Sequence, residues 1–173
     1  MAHKTLLAFP GSSLCGDNDA QLVGGDAAAL HTVHLGRPVL AFDDTDEAAA
    51  VTPEMTMPGQ YAGGTLKADV LYYMASDATN DVALDIYVEA KTPDADTLDL
   101  ETAASWDTAN SGTESVGGTT AGDPRVMTVT LANKDSVAAG DLVRFGIRRD
   151  CDSANDDAGG DLYVASIEVW EDT

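Results

Sequence analysis

The run DCDSANDDAGGD, residues 150–161, sets Asp150, Asp152, Asp156 and Asp161 at the first, third, seventh and twelfth places of a twelve-residue count. Carboxylates at such places surround Ca²⁺ in an EF-hand loop. The count breaks at its fifth place, Ala154, and at its sixth, where Asn155 stands instead of the turn-making glycine, and its flanks read as strands instead of helices. The four aspartates are carried as Ca²⁺-ligand candidates in a loop whose default reading is solvated acid. No cofactor and no established metal site is expected.

Other reactive residue types fall short of a catalytic pattern. GSSLCG, residues 11–16, sets a cysteine where a nucleophile elbow needs its second glycine. His31 and His34 are three apart, so on a strand they point to opposite faces, and on a helix they lack further ligands nearby. Cys15 and Cys151 match no zinc, haem or redox spacing and read equally as a pair or as free thiols. Paired carboxylates are abundant, but a glycosidase also needs a cleft lined with sugar-stacking rings. There are only ten aromatics, and Tyr72 and Phe145 fall at inward positions. The chain reads as a non-enzyme.

Three of the five arginines, Arg144, Arg148 and Arg149, crowd into GDLVRFGIRRDCD in a chain of formal net charge -21. Such a field repels phosphate backbones and anionic headgroups, which argues against nucleic-acid and membrane partners. The acid-rich, lysine-poor balance also matches proteins of saline habitats, where concentrated salt screens like charges over a few ångströms. The start of the chain lacks the apolar core of a signal peptide, so export by a classical signal is not expected. No run approaches the length of a membrane span.

The elements that must position these residues are strands. In 173 residues, enough for one domain with a real core, period-two alternation dominates from Thr65 onward. Leu66, Ala68, Val70, Tyr72 and Met74 take one face, and Thr65, Lys67 and Asp69 the other. Val82, Leu84, Ile86 and Val88 oppose Asp85, Tyr87 and Glu89, while Met127, Val129 and Leu131 alternate with Thr128 and Thr130. Val143, Phe145 and Ile147 oppose Arg144, Gly146 and Arg148, and the last strand turns Tyr163, Ala165, Ile167 and Val169 to one side and Ser166, Glu168 and Trp170 to the other.

RPVLAF, AAAVTPEM and GTESVGG supply further strands, giving about eight between Arg37 and Thr173. Gly-, Asp- and Ser-rich loops join them, which predicts an all-β, two-sheet antiparallel β-sandwich of jelly-roll type over 37–173. Residues 1–36 form either an arm or an added edge strand through ALHTVHL. On this plan Arg144 and Arg148 meet outward acids such as Glu168, Asp85 or Glu89 across neighbouring strands as internal counter-charges. The second reading gives the arginines an acidic patch on another copy or another protein.

The succession MPGQYAGGTL, SWDTANS and AGDLVRFGIRRDCDSANDDAGGD, within residues 37–171, resembles small jelly-roll virion proteins of tailed phages. The resemblance implies a non-catalytic particle component that decorates or cements the capsid, or belongs to a head fibre or tail. It further implies the major capsid protein as partner, a homo-oligomer with a trimer favoured, and a place on the outer surface of the virion. The alternative is a carbohydrate-binding β-sandwich of a phage tail or fibre, with Trp106, Tyr61 or Trp170 as stacking platform.

Overall fold

Alternating side chains bury the inner face of the long strands, and two sheets meet over these faces; the strand Asp81–Lys91 is buried on its outer face as well. The computed structural model describes residues 3–16, 27–76, 79–116 and 120–173. The strands are β1 (His3–Pro10), β2 (Cys15–Gly16), β3 (Ala27–Ala28), β4 (Leu30–His34), β5 (Arg37–Phe42), β6 (Ala48–Val51) and β7 (Met55–Thr56). They continue as β8 (Thr65–Met74), β9 (Asp81–Lys91), β10 (Asn110–Ser115), β11 (Arg125–Leu131), β12 (Leu142–Arg149) and β13 (Leu162–Asp172). The eight strands expected after Arg37 are all present, AAAVTPEM dividing at Pro53 into β6 and β7.

One sheet runs β11-β8-β13-β5-β4 with β1 also on β13, and the other runs β10-β9-β12-β6-β2 with β3 on β6 and β7 on β12. All pairings are antiparallel except the two-residue ladder of β3 with β6. The chain is thus an antiparallel two-sheet β-sandwich of jelly-roll type. Leu66, Val70, Tyr72, Val82, Leu84, Ile86, Phe145, Ile147 and Val164, each at most 1% exposed, fill the space between the sheets. Burying each such side chain contributes about 1.5–3 kcal/mol.

The sandwich narrows where β10 faces β11. A Cβ placed on Gly112 would lie 2.6 Å from a γ-methyl of Val129 and 3.3 Å from the Met127 sulfur. Valine is stiff at χ1 and cannot swing aside. Gly112→Ala is therefore expected to destabilise the fold by about 1–3 kcal/mol, read as a lower urea midpoint at unchanged slope.

The arginine cluster resolves into two uses. Arg144 bonds Glu89, its register partner on β9, and Arg148 reaches Asp85 at 2.6 Å and Glu47 at 3.2 Å. These are the internal counter-charges expected for Asp85 and Glu89, whereas Glu168 lies on the opposite sheet and accepts from Thr5 and pairs with His3. Arg149 falls in phase with the inward Val143, Phe145 and Ile147 and is completely buried. Its Nε and Nη2 donate to the two Asp156 oxygens at 2.9 and 2.8 Å, and its remaining donors reach the carbonyls of Asp43, Ala158 and Gly160. It bolts the acidic loop onto the end of β12.

Glu47 is the exception among these acids. Burial first, then a hydrogen bond shared with Asp150, push its carboxyl from 4.5 up to about 7. Between about pH 4.5 and pH 7 the folded state keeps a proton that the unfolded chain has released, so stability falls as pH rises through that window. The expected loss is of order 1–3 kcal/mol. Chemical denaturation at pH 5 and pH 7.5 checks it, and Glu47→Gln should flatten the slope.

Candidate functional site

Along β8 the alternation that buries Tyr72 and Met74 turns Leu71 and Tyr73 to the outer face of the six-stranded sheet. Beside them on β13, Tyr163 pairs with Tyr73, but the register slips between Val164 and Ser166. This bulge inserts one extra residue and inverts the phase. Val164 and Ile167 both point inward, so Tyr163 and Ala165 share the outer face. The sequence reading placed Tyr163 and Ala165 with Ile167 and Val169; the bulge overturns that for the first two.

A wall rises over this floor from the β4–β5 hairpin. Leu35 and Gly36 occupy its turn with φ of 49° and 79°, the double positive of a type I′ connection that suits Asn-Gly far better than leucine. Leu35 is nonetheless there and 95% exposed. A bulky apolar residue held in a strained conformation in full solvent is a local conflict of the kind that gathers at functional sites. His34 and Arg37 flank the turn as register partners. The opposite wall is Ala121, Gly122 and Pro124, ahead of β11.

Between the walls lies a cleft of about 590 Å³. Three rings form its aromatic floor. His34 lies 4.3 Å from Tyr163 between centroids, Tyr163 lies 5.3 Å from Tyr73, and His34 meets Tyr73 edge-on at 6.5 Å. Such mutual tilting fixes ring orientation before any ligand arrives. Leu71, 36% exposed, extends the apolar surface. Among the described residues lining the cleft none is a carboxylate, and the polar groups are the Tyr hydroxyls, the imidazole and the guanidinium of Arg37.

Carboxylates gather beyond the Tyr163 end. Asp43, Asp44 and Asp161 bring their oxygens within 4.8 Å of one another, a grouping that could hold a metal ion. Burial, followed by the charges of Asp43 and Asp44, raises the Asp161 carboxyl. Hydrogen bonds from Thr45 hold Asp43 low. Burial and then the Asp161 charge raise the Tyr163 hydroxyl, so the cluster and the cleft are electrostatic neighbours.

The four aspartates singled out by their EF-hand-like spacing are not brought together. Asp156 spends both oxygens on Arg149 and also accepts from the Ala83 amide at 3.0 Å. Asp150 is hydrogen-bonded to Glu47, Asp152 is exposed, and Asp161 belongs with Asp43 and Asp44. Cys15 and Cys151 stand as free thiols, Cys151 pushed up to about 11 by burial and then by Asp152.

The expected stacking rings also serve elsewhere. Tyr61 is buried and bonds Lys134 and the Gly64 carbonyl. Trp106 packs near Tyr87 and Ala49 under the Arg144 guanidinium, 4.6 Å from its ring centre. Trp170 is stacked on His3 at 4.1 Å, with the Lys67 ammonium 4.9 Å from its ring centre. The cleft uses Tyr73, Tyr163 and His34 instead. Alternation next to Tyr72 is the signal that could find Tyr73, whereas the bulge conceals Tyr163 and nothing in HTVH marks His34 as a floor residue.

No family model matches the chain, and no curated protein matches it. Solved structures do. A xylan-binding module of type CBM15 superposes with a TM-score of 0.51 at 14% identity, over 96% of this chain and 97% of that one. The CBM36-1 domain of a multidomain xylanase from the hindgut metagenome of Trinervitermes trinervoides gives 0.50 at 8% identity, over 99% of each chain. These findings correct the expectation of a capsid-decorating or cementing role, since both structures matched from end to end are carbohydrate-binding modules. At these identities the likeness establishes a shared fold.

Proposed function

We propose that this chain is a non-catalytic carbohydrate-binding β-sandwich whose ligand is a glycan lying in the aromatic cleft of the six-stranded sheet. The observation that carries the reading is the pre-oriented trio of Tyr73, Tyr163 and His34 beside exposed Leu71 and Leu35. Apolar ring faces accept the C–H face of a pyranose, and the few polar groups at the walls fix its hydroxyls, the usual division of labour in a ligand pocket. A cleft of about 590 Å³ falls within the ~300–1,000 Å³ typical of such sites.

Glycoside hydrolysis needs two carboxyl groups flanking the scissile bond, and the lining offers none among the described residues. The absence of acids along the floor thus favours holding a sugar over cutting it. The fold is also that of a module whose name records xylan binding.

The test is retention of the protein in gels containing xylan, mannan or mixed-linkage β-glucan, alongside incubation of each polymer with the protein. Retardation by at least one polymer without release of reducing ends is expected. Equal mobility in all gels, or liberation of oligosaccharides, would overturn the proposal.

A further inference from the structure

Every cation but one has an internal task. Lys4, Lys67 and Lys91 pair with Glu171, Asp172 and Asp135 at 2.9, 3.1 and 3.3 Å. Arg125 pairs with Glu114 at 3.1 Å, and Arg144, Arg148 and Arg149 are engaged as described. Lys134 is held by the Tyr61 hydroxyl and by the carbonyls of Gly63 and Gly64.

Among the lysine and arginine side chains, all of them described, that of Arg37 alone makes no hydrogen bond or ion pair with another described residue, although 30 acidic side chains share the molecule with nine Lys and Arg. It is exposed, and it lines the cleft. Resting on the glycan reading above, we propose that the cleft selects glycans bearing isolated carboxylate groups, uronic acids on an otherwise neutral chain, and that Arg37 is the residue that binds the carboxylate.

Two physical facts set this specificity. The guanidinium fork matches a carboxylate with two parallel N–H···O bonds, which are stronger than its bonds to neutral hydroxyls. Arg37 has no internal acid to release before it takes one from a ligand, so the pairing costs no broken contact. The field of a chain carrying -21 charges opposes dense anions. Screening over about 8–10 Å at physiological salt lets a single carboxylate reach Arg37 while a polyuronate still meets repulsion along its whole length. The cleft therefore favours sparse carboxylates and disfavours crowded ones.

The test compares three soluble probes by calorimetric titration of the full chain: a neutral xylo-oligosaccharide, the same backbone with one glucuronic acid branch, and oligogalacturonate. The branched chain is expected to bind about 10-fold tighter than the neutral one, with oligogalacturonate weaker than the branched chain. Arg37→Gln should erase the preference, and raising salt to 1 M should shrink it.

Equal affinity of the wild type for the neutral and branched chains, or a preference that survives in Arg37→Gln, would overturn the inference. So would tightest binding of oligogalacturonate. If Tyr73→Ala abolishes binding of both xylan probes while the Arg37 result is negative, the cleft reading stands and the uronate inference falls; if no glycan binds, both fall.

Discussion

Arg149→Met is expected to lower the stability of the fold by about 3–5 kcal/mol, because it strands a buried acid. Arg149 is wholly buried and the Asp156 carboxylate is 2% exposed. Removing the guanidinium leaves that charge facing protein, together with unmatched carbonyls of Ala158 and Gly160. Methionine fills most of the volume, so the loss reports electrostatics and hydrogen bonding in place of a cavity. For a domain of this size each kcal/mol moves the melting temperature by about 2–4 °C, which places the expected drop near 10 °C. Arg149→Lys should recover only part of it, since an ammonium cannot repeat the two-pronged contact. A melting temperature within about 2 °C of wild type would show that the loop does not depend on this bolt.

Tyr73→Ala should weaken glycan binding about 30-fold or more while the melting temperature falls only slightly. Truncating a tyrosine that is a hot spot at the centre of a contact costs about 2 kcal/mol or more, which is about 30-fold in affinity. Tyr73 is half-buried on the outer face, so its loss opens no cavity between the sheets. Tyr163 is a poorer probe because it is 9% exposed and packs on both other rings. Trp106→Ala, on the opposite sheet, should leave affinity within about 2-fold of wild type. If Trp106→Ala abolished binding instead, the ligand would belong on the other face.

Strand alternation was readable because it is a local property. Leu66 to Met74 bury alternate residues as their sequence dictates, whereas Val82 to Val88 are buried throughout, Asp85 and Tyr87 included; even so, the arginine pairing with Asp85 and Glu89 followed from which residues share a face. The site was less readable because it depends on long-range events. One extra residue between Val164 and Ser166 turned Tyr163 outward, and no residue there announces a bulge. The Leu35–Gly36 turn carried the wall over the floor, while HTVH alone offered no sign of a ring packed on two tyrosines.

Phage-like motifs were equally local and misled for that reason. MPGQYAGGTL marks a loop whose Ala62 and Gly64 amides clasp the buried Glu171 carboxylate, and a Cβ on Gly64 would lie 2.8 Å from that oxygen. In this chain the motif's task is to tether the last strand. It describes construction, and the use of the construction is decided in the cleft.

The most direct measurement is an amide chemical-shift map of ¹⁵N-labelled protein titrated with the glycan that binds best. The account predicts that the largest shifts cluster at residues 34–37, 71–75 and 163–165, with residues 85–89 and 144–148 on the other sheet unmoved. Shifts confined to the Trp106 and Tyr87 face, or absent from Tyr73 and Tyr163, would contradict it.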